Sequence, residues 1–189
     1  MRVIGGTAGG RRLAAPKGRR VRPTADRVKE ALFNILGSLM GTLSGGRVLD
    51  LFAGTGNLGI EALSRGAAEA VFVDNHRESA ALVARNLKTL GFAERGRVIE
   101  KEVLAALSLL ENAQESFRLV FLDPPYREGV AIQVLDRLAS SPLLDESSVV
   151  VVEFAAGEEI PSGFGALLEF DRRTYGDTSL AFFRLTEQE

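Results

Sequence analysis

From residue 47 onward, short apolar runs alternate with longer stretches whose apolar residues recur at helical spacing. Strands are predicted at Val48–Phe52, Ala70–Asp74, Arg97–Glu102, Leu119–Asp123 and Ser148–Phe154. Helices are predicted between them at Leu58–Arg65, Glu78–Leu90, Leu104–Glu111 and Val130–Leu138. The strands are almost continuously apolar, as strands covered on both faces are, and the β-α order calls for a parallel sheet. The end of the chain breaks this rhythm. Leu167–Thr174 and Ser179–Leu185 have only Tyr175-Gly176-Asp177-Thr178 between them, which predicts a C-terminal antiparallel hairpin on an otherwise parallel sheet.

Upstream, Val28, Ala31, Leu32, Ile35, Leu36 and Leu39 form one helical stripe. Thr24 is placed to cap that helix, and Asp26 in its first turn complements the helix dipole. Before it, Arg2–Ile4 and Arg11–Ala14 are separated by Gly5, Gly6, Gly9 and Gly10 and read as a small hairpin. The expected organisation is therefore an N-terminal extension over residues 1–23 and a main α/β domain over 24–189.

Composition narrows the chemistry. The chain has 189 residues, 46% of them apolar and 25% charged, which suits a globular domain with a sizeable core. It has no cysteine, so disulfides, thiolate zinc sites and a cysteine nucleophile are excluded together. His76 is the single histidine, which leaves no partner cluster for a metal site or a serine triad; it reads as a solvated residue at a strand exit. No window reaches the roughly 18 apolar residues of a membrane span, and the glycine-rich start is unlike a secretory signal. The expected location is the cytoplasm.

The net charge of −2 conceals an asymmetry. Residues 1–29 carry nine basic side chains against Asp26 alone, a net of +8, while the remainder carries −10. Such an arm is either a solvated tail or a contact surface for a polyanion, and the helix that follows it favours the second. Arg2, Arg11, Arg12, Lys17, Arg19, Arg20 and Arg22 are its candidate phosphate contacts. Removing residues 1–20 is expected to leave a folded protein that still binds its cofactor but handles a polyanionic substrate poorly.

The first predicted strand runs into Asp50-Leu51-Phe52-Ala53-Gly54-Thr55-Gly56-Asn57-Leu58-Gly59, which holds a G-x-G-x-x-G. Asp74 ends the next strand, 20 residues after Gly54. Glycines here allow a tight turn and close backbone approach, and an acid at that distance can bind ribose hydroxyls. Nicotinamide, flavin and S-adenosylmethionine sites share this signal. Asp50, just ahead of the glycines and placed to meet the ammonium of a methionine moiety, favours S-adenosyl-L-methionine, as does the closing hairpin.

The fourth strand ends in Asp123-Pro124-Pro125-Tyr126, which favours S-adenosylmethionine more strongly. An exocyclic amine on a nucleobase is a poor nucleophile because its lone pair is delocalised into the ring. Asp123 and the Pro124 carbonyl can accept its two N–H bonds and draw the nitrogen towards tetrahedral geometry. Pro125 stiffens the turn, and Tyr126 offers a ring on which the base stacks. Pre-organised acceptors supply the rate, so no histidine base is required.

These motifs, with Arg2-Val3-Ile4-Gly5-Gly6, Arg22-Pro23-Thr24-Ala25-Asp26-Arg27-Val28-Lys29-Glu30-Ala31-Leu32-Phe33-Asn34, Glu61-Ala62-Leu63-Ser64-Arg65-Gly66-Ala67 and Tyr175-Gly176-Asp177-Thr178, closely resemble the RsmD-like family of bacterial methyltransferases over nearly the whole chain. The Arg22–Asn34 segment is the most discriminating of them. The resemblance implies a Rossmann-like class I S-adenosylmethionine-dependent fold with a mostly parallel seven-stranded sheet. It implies methylation of the N2 amine of a guanine in 16S ribosomal RNA, on the 30S subunit or its assembly intermediate, by a monomer without metal. It also implies that Asp50, Phe52, Ala53, Gly54 and Gly56 bind the methionine portion and Asp74 and Asn75 the ribose side. Relatives usually place a short Asp or Asn at the third strand's end to meet adenine. The aligned residue here is Glu102, so either the rim shifts or backbone groups at Val103 serve. Asn57 likewise stands where a small residue is common.

Some alternatives remain open from the residues alone. D-P-P-Y serves any exocyclic amine, so a DNA adenine-N6 or cytosine-N4 methyltransferase is the competing enzyme, although no long target-recognition insertion is present. A non-catalytic RNA-binding assembly factor on the same fold is the competing class. Phe33 reads as part of the helix stripe, and Tyr175 as a turn residue or part of a base pocket.

Overall fold

In the computed structural model, residues 1–16, 24–124 and 129–186 are described. Five helices, α1 (Thr24–Met40), α2 (Asn57–Ser64), α3 (Arg77–Leu90), α4 (Val103–Asn112) and α5 (Val130–Ala139), flank a single sheet. Its strands are β1 (Arg47–Leu51), β2 (Glu69–Asp74), β3 (Gly96–Glu100), β4 (Leu119–Leu122), β5 (Val149–Ala155), β6 (Gly163–Phe164), β7 (Leu167–Tyr175) and β8 (Thr178–Leu185), in the order β3-β2-β1-β4-β5-β8-β7-β6. The first five pair in parallel and the last three antiparallel. The β-α alternation and the C-terminal hairpin expected from the sequence are both present. The sheet has eight strands among the described residues rather than seven, because Gly163-Phe164 adds a two-residue edge against β7.

Strand alternation divides the core. Val48, Ala70, Phe72, Leu119, Phe121, Val149, Val151, Leu180 and Phe182 face the layer of α1, α2 and α3. Leu49, Leu51, Val71, Val73, Val120, Leu122, Val150, Val152, Ala181 and Phe183 face α4 and α5. Asp50 alternates with Leu49 and Leu51, so its side chain enters the α1-α2-α3 layer beneath the loop that follows β1. Phe33, in the same layer, is buried 5.7 Å from Phe121 with the Arg65 guanidinium over its ring, and it belongs to the helix stripe.

The N-terminal extension has the expected hairpin, reduced to one bridge between Arg2 and Arg12 around a short turn at Gly6–Ala8. Val3, Ala8 and Leu13 are buried in the core shared with α1, α2 and α3. The Ile4 and Gly5 amides donate to the Glu61 carboxylate at 2.7 and 2.8 Å, and Ser64 Oγ accepts from Ala8 N and donates to Gly5 O. Deleting residues 1–20 removes three side chains from that core and two donors from the fully buried Glu61, so the truncated protein is expected to lose stability as well as the arm's charge. The pairing pattern of the hairpin is readable from sequence, but its docking is not.

Candidate active site

The strand order reverses between β1 and β4, the place where open α/β sheets bind ligands outside the carboxyl ends of their strands. Two of the predicted motifs emerge side by side there, the glycine loop after β1 and Asp123 after β4. The Asp123 amide reaches the Leu51 carbonyl at 3.5 Å, continuing the β1–β4 ladder to its last rung. Asp123 is exposed and Pro124 buried. Pro125 and Tyr126 lie outside the described residues.

The loop's shape follows from its glycines. Gly54 and Gly56 have φ of 57° and 78°, which side chains disfavour. A Cβ on Gly59 would lie 2.4 Å from the Phe72 ring, so only glycine lets α2 seat this close to the sheet. Phe52 also has a positive φ, 62°, a conformation that costs a bulky residue on the order of 1–3 kcal/mol. That strain turns the chain out of β1, and the Ala53 amide then caps the Val73 carbonyl at 2.9 Å.

Two carboxylates hold the loop from below. Asp50 Oδ2 accepts the Gly59 amide at 2.8 Å, and burial pushes the carboxyl up to about 7, with the Asp74 charge adding to the rise and the Gly59 amide opposing it. Asp50 thus acts first on the loop's own backbone. Asp74 Oδ2 accepts the Gly54 amide and Oδ1 the His76 amide, both at 2.9 Å. Oδ2 retains a second lone pair, suited to a hydroxyl donor. His76 is exposed, with Nδ1 3.2 Å from Asp74. Across the rim, Asn75 Nδ2 donates to Glu102 Oε1 at 2.6 Å, so the longer Glu102 side chain reaches its neighbour at the end of β2, and Val103 opens α4 beside it.

The basic residues separate into different roles. Arg2 pairs with Asp26 at 3.0 Å, and Arg11 donates to the Thr89 and Leu90 carbonyls at the end of α3. Arg12 is exposed and makes no ion pair among the described residues. Lys17, Arg19, Arg20 and Arg22 lie outside the described residues. Tyr175 is half-buried beside the first core cluster and closes the β7–β8 turn, which stands at the same end of the sheet as Asp123. Among the described residues no group of acidic or histidine side chains could hold a metal. No helix among them is long and apolar enough to cross a membrane.

Sequence reasoning missed the buried polar supports of this site. Lys29 is 2% exposed and donates to Arg2 O, Asn57 Oδ1 and Glu61 Oε2. Burial lowers its pKa, and the Glu61 charge opposes that. Asn57, which departs from the usual small residue, is the acceptor for this ammonium at the head of α2. Asn86, also 2% exposed, accepts from the Ala14 amide and donates to the Ala14 and Thr55 carbonyls. Each lies within an apolar stripe, Lys29 with Leu32, Phe33 and Leu36, Asn86 with Val83 and Leu90. A polar residue on a buried face was the available signal.

Comparison with known proteins agrees with this geometry. The family model described as Conserved hypothetical protein 95 matches residues 1–184. The chain is 40% identical to "Putative rRNA methyltransferase YlbH" of Bacillus subtilis over 97% of its length and 98% of that protein's. It is 36% identical to ribosomal RNA small subunit methyltransferase D of Escherichia coli, over 86% of this chain and 78% of that one. The solved structure titled "Putative methyltransferase yhhF from Escherichia coli" superposes with a TM-score of 0.84 at 32% identity, covering 100% and 99% of the two chains. On a fold shared with S-adenosylmethionine-dependent methyltransferases, the chain belongs to the Conserved hypothetical protein 95 family, the RsmD-like methyltransferases.

Proposed function

We propose that this protein is a cytoplasmic RNA methyltransferase that acts as a monomer on the N2 amine of a guanine in 16S ribosomal RNA, within the 30S subunit or its assembly intermediate. The observation that carries the reading is the adjacency of the glycine loop and Asp123 across the β1–β4 switch point. Family membership supports a ribosomal RNA substrate. The loop fits S-adenosylmethionine because Gly54 leaves open backbone, its absent Cβ meeting nothing nearer than the Phe52 carbonyl at 4.0 Å, and Asp74 holds that glycine's amide. When bound, that molecule supplies an electrophilic methyl group on a sulfonium.

The residues of the chain do the rest. Gly54, Gly56 and the neighbouring Phe52 and Ala53 form the methionine side of the cradle, with Asp50 fixing the loop through Gly59. Asp74 accepts ribose hydroxyls, while Asn75, Glu102 and the Val103 backbone form the adenine rim. Asp123 and the Pro124 carbonyl accept the two amine N–H groups, drawing the nitrogen out of conjugation and aiming its lone pair across the β1–β4 gap. Asp123 is exposed, so it can pass the displaced proton to water. Pro125 and Tyr126 are assigned to stiffening this turn and stacking the base. Arg2, Arg12, Lys17, Arg19, Arg20 and Arg22 contact phosphates, which position the substrate while the pocket selects the base.

The test is incubation with labelled S-adenosylmethionine and 30S subunits, naked 16S RNA or duplex DNA, followed by identification of the modified nucleoside. N2-methylguanosine in the ribosomal substrate is expected. A methylated DNA base, another nucleoside or no transfer to any of the three overturns the reading.

A further inference from the structure

Three contacts fasten the N-terminal segment to the glycine loop, and they converge on two loop residues. Thr55 Oγ1 lies 3.3 Å from Met1 Sδ, and the Thr55 carbonyl accepts Asn86 Nδ2 at 3.0 Å. The same Asn86 amide pairs with both backbone groups of Ala14, accepting its N–H at 2.8 Å and donating to its carbonyl at 3.2 Å. On the other side of Gly56, Asn57 Oδ1 accepts Lys29 Nζ at 2.7 Å, and that ammonium also donates to Arg2 O at 2.6 Å. With Glu61 at 3.3 Å, these partners use all three of its protons.

Position argues against a role confined to overall stability. A cation at the head of α2 opposes the helix dipole, which favours negative charge there. The arrangement persists because Lys29 is locked by a carboxylate and two carbonyl oxygens. A loop with glycines at two of its three left-handed positions is costly to order, and a loop ordered in advance spares its ligand that cost.

Building on the proposed function, we infer that Lys29 and Asn86 are positioning residues that make S-adenosylmethionine affinity depend on the docked N-terminal segment. Neither side chain needs to touch the ligand. Asn86 holds Thr55 to Ala14, Lys29 holds Asn57 to Arg2, and Gly56 is fixed between them. The segment that carries Arg2 and Arg12 on its outer face is thereby part of the cofactor site's frame.

The test is calorimetric titration of S-adenosylmethionine and S-adenosylhomocysteine into the full-length protein and its variants. Asn86→Ala and Lys29→Met should each weaken both ligands about tenfold, as loss of one buried polar link to the loop would. Turnover at saturating S-adenosylmethionine should stay within about twofold, so the effect falls on KM rather than kcat. Asn57→Ala cuts only the loop end of the Lys29 link and keeps the Lys29–Glu61 pair, so it tests the idea even where the buried variants fold poorly. About threefold weaker binding is expected for it. Leu138→Ala, in the opposite core layer, should lower the melting temperature without changing either affinity. Folded variants, Asn57→Ala included, that bind both ligands as the wild type does overturn the inference and leave the proposed function standing. A wild-type protein that binds neither ligand overturns both.

Discussion

Asp50, Asp74 and Asp123 stand at or just beyond the ends of three adjacent strands, yet their surroundings differ. Asp50 and Asp74 are 2% and 8% exposed, and each accepts backbone amides of the loop between them. Asp123 is exposed, directly before Pro124. The two buried acids act through the polypeptide, holding a loop that a ligand then meets. The exposed acid is placed for a group that arrives with the substrate. Under the proposed function, carboxylates of one residue type serve two halves of a transfer reaction because strand register buries one kind and leaves the other at the rim.

The largest expected effect breaks the substrate half alone. Asp123→Ala should slow methyl transfer by about 10²-fold or more, the usual cost of losing one oriented polar group at the reacting centre. Cofactor affinity should remain within a few-fold. Single-turnover rates and calorimetry on one preparation separate the two quantities. Turnover near that of the wild type would remove Asp123 from the chemistry.

Asp74→Ala addresses the other half. It should weaken S-adenosylmethionine and S-adenosylhomocysteine alike by about tenfold, because both present the same ribose and the Gly54 amide loses its acceptor. A selective loss of only one ligand would contradict a ribose role. His76 offers no substitute, since it is exposed and itself leans on Asp74.

Asp50 sharpens the comparison through pH. Its carboxyl titrates near 7 in the folded protein against 3.8 as its ordinary value, so the folded state holds a proton that the unfolded state releases. Stability should therefore fall as pH rises from about 4 to 7 and level off above, at most about 1.4 kcal/mol per unit. In the Asp50→Asn variant the side-chain carbonyl oxygen can still accept the Gly59 amide, and the slope should flatten. Urea melts at pH 5, 6, 7 and 8 measure this. Parallel curves for the two proteins would mean that Asp50 is not the group responsible.

The contrast also explains what could be read in the chain. The sheet's rhythm, the glycine loop and the Asp123-Pro124-Pro125-Tyr126 run are local patterns, and from α1 onward each strand and helix except β6 lies within a few residues of its predicted span. The supports are not local. Lys29 and Asn57 are 28 residues apart, Asn86 and Ala14 are 72 apart, and Ile4 and Glu61 are 57 apart. Spacing can mark Lys29 and Asn86 as polar residues on buried faces, but it cannot name partners that only the folded topology brings together. The Gly163-Phe164 edge strand was missed for a different reason, since two residues carry no period.

The smallest expected effect concerns the basic arm, where Arg11 and Arg12 are neighbours with different tasks. Arg11 donates to the last carbonyls of α3, a position where positive charge also complements the helix dipole. Its replacement by alanine should cost about 0.5–1 kcal/mol of stability and leave RNA binding little changed. Arg12 faces solvent opposite Arg2 across the hairpin bridge, and like charges facing each other there oppose pairing unless an anion comes between them. Asp26 neutralises only the Arg2 side. Arg12→Ala should therefore be neutral or slightly stabilising in a thermal melt, yet weaken ribosomal RNA a few-fold and lower the salt slope of binding by roughly 0.7–0.9, one phosphate's share. Filter binding over a salt series, run beside melting curves for both variants, separates the two arginines. An unchanged slope for Arg12→Ala would take phosphate contact away from the hairpin face, and an Arg11→Ala slope that falls as much would mean the helix cap is not its principal role.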